Sequence, residues 1–309
     1  MTAKYSIPGA PIPLIRAARD ELEAQLAMFK RAPEEYFKHR PSNCPNSTEL
    51  AFFDLVPDKV RPSQHRLWMQ TLNLTRLLAT NVYDHVNSLR NVLSEQEIPL
   101  FAHLTIGRPA CESTATIMYL LDTGIGAQTR LTRGSALLYA DAKHQTALAA
   151  EYPPAVRPQM EATAQKEFDQ LKGEIDAAAI TVEKDKSKKD FKLVLGHHSA
   201  LMKPNLTKLV TDAFPDRPGA YRITSGAIHG SHQTLNALTT NTTADQVMFQ
   251  ADLAEVGALV SLAIEATGKT LAAFAAYYGV GGEAEARATL QRVDIMNGHI
   301  RDLRSLSAP

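Results

Sequence analysis

The sequence predicts an all-α protein, a multi-helix bundle of about eight to nine helices, on three observations. Apolar residues recur at steps of three and four through most of the chain. Prolines and glycines mark breaks between these stretches, as in residues 40–62, at Gly124 and Gly126, at Pro153-Pro154 and at 279–282. No stretch alternates apolar and polar residues well enough to predict a sheet, and only residues 191–205, FKLVLGHHSALMKPN, have room for a single short strand.

Residues 13–39 open the bundle, with Leu14, Ala18, Leu22, Leu26 and Phe29 forming one apolar stripe. Residues 40–62 hold prolines and the turn formers Asn43, Asn46 and Ser47, and read as a connector with one short helical turn at 49–55. Ser63 is a candidate cap for a long helix whose stripe is Trp68, Leu72, Leu78, Val82, Val86, Leu89 and Leu93. The next helix, 100–121, contains Pro109, which either kinks it or marks its start. Gly124 and Gly126 separate it from a helix over 127–151, which Pro153 and Pro154 stop.

A charged amphipathic helix follows over 158–183, and the basic run 184–190 reads as a loop, with contact to nucleic acid as its functional alternative. Shorter helices over 205–214 and 218–238 precede a Thr/Asn run at 239–245. A long alanine-rich helix then carries the stripe Leu253, Val256, Val260, Ile264, Leu271, Phe274 and Tyr278, and a last helix covers 284–306. The expected organisation is an N-terminal helix and Pro-rich connector, 1–62, packed on one helical bundle domain, 63–309.

Composition narrows the partners. Lys plus Arg and Asp plus Glu both number 33 in the 309 residues, so no net field draws nucleic acid or an anionic membrane, and such a partner needs a local patch. Cys44 and Cys111 are the two cysteines, and neither has a metal-binding spacing. The apolar stretch 256–264 is about half of the roughly 20 residues that a membrane span needs, and the amino end lacks an apolar secretory segment. The expectation is a cytoplasmic protein with no membrane partner.

Two constellations carry candidate chemistry. In the segment PGAYRITSGAIHGSHQTLNAL, Arg222 and His229 stand seven residues apart, which returns both to nearly the same face of a helix. Arginine neutralises phosphate and histidine moves a proton near neutrality, while Tyr221, Ser225 and His232 lie near the same stripe. Arg108 and Glu112 stand at i and i+4 around Pro109, and Arg130 and Arg133 begin the following helix. This second group reads as an ion network clamping two antiparallel helices, or as an anion site facing the Arg222 helix.

The Arg222 to His229 spacing on a late helix, within AYRITSGAIHG and after the KPNLTKLV and RPACESTATIMYLLD segments, resembles the signature of the HEPN superfamily. The resemblance covers roughly residues 100–240 and implies a HEPN-like core, a homodimer, and a metal-independent ribonuclease or RNA- or nucleotide-binding protein of stress response or phage defence. Arg222 would hold the scissile phosphate and His229 would assist attack by a ribose 2′-hydroxyl. The family role transfers only to those two; Arg108, Glu112, Arg130, Arg133, Tyr221, Ser225 and His232 are the further candidates to bind the substrate. Ile223 departs from the family pattern, which has a small polar residue after the arginine. The rival expectation is a noncatalytic helical interaction or small-ligand-binding protein.

Other patterns carry less. Arg292 and His299 repeat the spacing across Asn297-Gly298, with nothing around them to form a site. Gly268-Lys269-Thr270 lacks the first glycine and the preceding strand of a phosphate loop. His197, His198, His229 and His232 have no matching carboxylate at ligand spacing, so neither metal nor cofactor is expected.

Overall fold

A computed structural model describes residues 12–38, 41–93, 102–184, 191–217, 219, 225 and 252–306. These residues form an all-α multi-helix bundle of nine helices with one small sheet. The helices are α1 (Ile12–Lys38), α2 (Pro45–Asp54), α3 (Arg61–Val92), α4 (Ala102–Leu121), α5 (Ala127–Ala149), α6 (Arg157–Ala177), α7 (Leu206–Ala213), α8 (Leu253–Tyr278) and α9 (Glu283–Leu306). The strands are β1 (Thr181–Lys184), β2 (Phe191–Leu195) and β3 (His198–Leu201).

Helix α8 is the axis of the core and packs against α1, α2, α3, α4 and α9. Its stripe from Val256 through Val260, Ile264, Leu271 and Phe274 to Tyr278 is buried. The helix is long and apolar enough to cross a membrane, and 72% of its most apolar window lies buried inside the bundle. Asp252 caps its amino end by accepting from the amides of Ala254 and Glu255 at 2.8 and 3.3 Å. Gly279 ends it at φ 66°, and a Cβ there would also strike the Cβ of Cys44, so left-handed backbone and close approach both require glycine.

The predicted stripes of α1 and α3 are buried as read, apart from the half-buried Leu78. Pro109 lies inside α4 and does not mark its start. Helix α5 crosses α3 closely at Gly134, where an added Cβ would collide with the buried Thr71 side chain. Three expectations are corrected. Helix α3 begins at Arg61 with Val60 at the cap position and no side-chain cap, because Pro62 presets the first turn and carries Ser63 inside as a buried residue. The short turn expected at 49–55 is a ten-residue helix, α2, capped by the thiol of Cys44, which accepts from the Ser47 amide at 3.4 Å.

The third correction is the sheet. Helix α6 stops at Ala177, and β1, β2 and β3 pair as an antiparallel meander, with Val182 opposite Leu193 and Leu193 opposite Ala200. Ala179 turns the chain at φ 59°, the Ile180 amide donates back to Ile175 and the Ala179 amide to Asp176. That is a Schellman ending with alanine in glycine's place, sealed by the buried pair Ile175 and Ile180. Leu193, Leu195 and Ala200 are buried in the sheet, and β2 and β3 pack on α5.

Candidate functional site

The carboxyl end of α4 leaves backbone carbonyls without amide partners, and two arginines from the first turns of α5 satisfy them. Arg130 donates from Nη1 to the Leu120 carbonyl and from Nη2 to the Asp122 carbonyl at 3.0 Å. Arg133 donates from Nη1 to the Tyr119 carbonyl at 2.7 Å. Positive charge at a helix carboxyl end also complements the helix dipole.

Beyond that shared task the two differ. Arg130 is fully buried, and its Nε donates to both Glu49 carboxylate oxygens at 2.9 and 3.1 Å. The same Oε2 accepts from Trp68 Nε1 and from the Tyr277 hydroxyl, each at 2.8 Å. The Arg130 guanidinium lies 4.5 Å from the Tyr277 ring centroid. Burial first, and then the Glu49 carboxylate, push the Tyr277 hydroxyl upward, so it stays protonated and donates. This is a closed core cluster joining α2, α3, α5 and α8, and Arg130 is not placed to line a substrate.

Arg133 is partly exposed, and its guanidinium stacks 4.2 Å above the Tyr119 ring centroid. It lines a cleft of about 460 Å³ between α4, α7 and α8. Ala272, Ala273 and Ala276 present the open side of α8 there, with Tyr119, Asp122, Asp212 and Lys269 as polar walls. The volume falls within the roughly 300–1,000 Å³ common to small-molecule sites. Lys269 is held 3.3 Å from Glu265, which also takes Arg217 at 3.1 Å.

Arg108 and Glu112 pair with each other at 2.6 Å, both largely buried. They sit about 20 Å (Arg108) and about 14 Å (Glu112) along α4 from its carboxyl end at 1.5 Å per residue, so the four charges that the sequence grouped do not converge. Ser225 is helical and half-buried. Arg222, His229, Tyr221 and His232 lie outside the described residues, as do most of the predicted 218–238 helix and the basic residues 185–190. Arg292 is spent on α1, 2.9 Å from Gln25 Oε1 and 3.6 Å from Glu21.

A second cleft, of about 420 Å³, lies between α2 and the amino end of α5 and is lined by Glu49, Phe52, Ile125, Gln128 and His198. His198 Nδ1 is 2.8 Å from Thr129 Oγ1, and its ring lies 3.9 Å from that of His197, tilted by 39°. Among the described residues no group of three or more His, Cys, Asp or Glu could hold a metal ion.

Sequence reasoning missed Glu49 and Lys269. Nothing in a Pro/Asn-rich connector marks Glu49 as the partner of an arginine 81 positions away. Lys269 was visible inside a rejected phosphate-loop pattern, and its place is mid-helix, beside Thr270, whose hydroxyl bonds Thr114 at 2.9 Å. No family model matches the chain, and neither a curated protein nor a solved structure matches it.

Proposed function

We propose that this chain is a noncatalytic helical protein that binds a small amphipathic ligand in the cleft between α4, α7 and α8. The observation that carries the reading is the pairing of a bare alanine floor with an arginine, Arg133, held in place by stacking and one backbone bond. A preset guanidinium loses little freedom on binding, so its contribution to affinity is kept.

The test is a thermal-shift panel of amino acids, short carboxylates, nucleotides and sugars against the wild type and Ala272→Leu, which puts a larger side chain on the exposed floor. A ligand at about a hundred times its dissociation constant adds roughly 2.7 kcal/mol of stability. The account expects a ligand class that stabilises the wild type and not the filled variant. Equal response of both proteins to every class contradicts it.

The second reading is a HEPN-like ribonuclease, a cytoplasmic homodimer of stress response or phage defence, with Arg222 and His229 as its catalytic pair. Its support is their spacing in the sequence and the all-α fold of the described residues. Cleavage of a mixed RNA pool in chelator, leaving cyclic phosphate and lost in His229→Ala, is what it expects. Inactivity of the folded wild type removes it.

A further inference from the structure

We infer that the ligand of the α4–α7–α8 cleft is a small zwitterion of the α-amino-acid class, its carboxylate taken by Arg133, its ammonium by Asp122, and its apolar side chain laid on Ala272, Ala273 and Ala276. The inference rests on the proposed reading of that cleft and names what occupies it.

The charges lining the cleft are balanced, Arg133 and Lys269 against Asp122 and Asp212. Two of them are already committed, Lys269 to Glu265 at 3.3 Å and Asp212 to Lys208 at 2.7 Å. The remaining couple is loose: Asp122 Oδ2 stands 3.6 Å from Arg133 Nη1, beyond hydrogen-bond length. Arg133 uses Nη1 for the Tyr119 carbonyl, and among the described residues its Nε and Nη2 make no hydrogen bond. That is the edge of a guanidinium that takes a carboxylate through two parallel bonds.

Asp122 is held from the other side, since its Oδ1 accepts from the Gly124 amide at 2.9 Å, which leaves Oδ2 as the oxygen nearer the cation. An α-amino acid carries its opposite charges on groups attached to one carbon, so it completes both halves of a couple this close. A mononucleotide brings only negative charge to a wall whose charges sum to zero, and the cleft offers it no attraction over water. The alanine floor has no polar side-chain group, so an apolar side chain covers it without stranding a donor or acceptor.

The experiment is calorimetric titration of the full chain with L-leucine and L-phenylalanine, with L-leucinamide lacking the carboxylate, 4-methylpentanoate lacking the ammonium, and adenosine monophosphate and inorganic phosphate as anions. The inference expects at least one of the two amino acids to bind, both leucine derivatives to bind about tenfold or more weakly than leucine, and neither anion to compete. Arg133→Gln and Asp122→Asn each weaken amino-acid binding about tenfold. Asp122→Asn keeps an oxygen for the Gly124 amide, so it remains informative if Arg133→Gln fails to fold. Leucinamide or 4-methylpentanoate binding as tightly as leucine, still blocked by Ala272→Leu, overturns the zwitterion and keeps the cleft as a ligand site. Failure of both amino acids to bind, or binding indifferent to Asp122→Asn, overturns it too. A panel in which Ala272→Leu matters for no compound removes the cleft reading itself.

Discussion

Arg130 and Arg133 lie three residues apart on α5 and both donate to carbonyls at the end of α4, yet one is closed into the core and the other borders open space. The difference comes from what each meets beyond the carbonyls. Arg130 meets a carboxylate that also accepts from Trp68 and Tyr277, so its charge is neutralised without water. Arg133 meets a tyrosine face and a half-exposed Asp122 at 3.6 Å. A shared capping task therefore does not decide whether an arginine is structural or available to a ligand.

The largest effect that would break this comparison is at the closed cluster. Glu49→Leu leaves Arg130 charged and buried, and should lower the unfolding free energy by about 3–5 kcal/mol in urea titration. Adding Arg130→Met should recover part of that loss, because the stranded charge is then gone. If the double variant is instead the sum of the singles, the two residues do not act as one unit.

Next in size is the close crossing that sets α5 on α3. Gly134→Ala drives a methyl group into Thr71 and should cost about 1–3 kcal/mol by the same titration. An unchanged midpoint would mean that α5 is free to shift, and with it the positions of both arginines. Smaller, and opposite in sign, is Ala179→Gly, which relieves left-handed strain at φ 59° and should stabilise by about 0.5–1 kcal/mol.

How much of this was legible follows from the range of each interaction. The stripes of α1, α3 and α8 were readable because helical periodicity is local and burial follows it. Arg108 with Glu112 was readable for the same reason, being one turn apart. The ending of α6 was hidden because its left-handed residue is Ala179 instead of glycine, and the three strands are each four or five residues long, too short for alternation to register. Glu49 with Arg130 was hidden because only the tertiary fold joins α2 to α5. The sequence placed Arg130 and Arg133 together; the structure assigns them opposite surroundings.

The smallest expected effect concerns the second cleft. Burial first, then the neighbouring His197, hold His198 below the ordinary imidazole value. A depressed folded value contributes stability that is present above about pH 6.5, the ordinary value, and is lost as pH falls through the folded one. Unfolding midpoints followed downward from pH 7 should therefore decline less in His198→Gln than in the wild type. Parallel curves would place the acid sensitivity elsewhere. Cys111, whose thiol burial pushes up to about 12, should stay unreactive toward thiol reagents in the native protein and react on unfolding.

The most direct measurement is urea unfolding of Arg130→Met and Arg133→Gln side by side with the wild type. The account predicts a loss of about 3–5 kcal/mol for Arg130→Met, which strands Glu49, and of no more than about 1.5 kcal/mol for Arg133→Gln, which gives up one backbone hydrogen bond. Equal losses, or a larger one at Arg133, would contradict the division between a closed clamp and an open site.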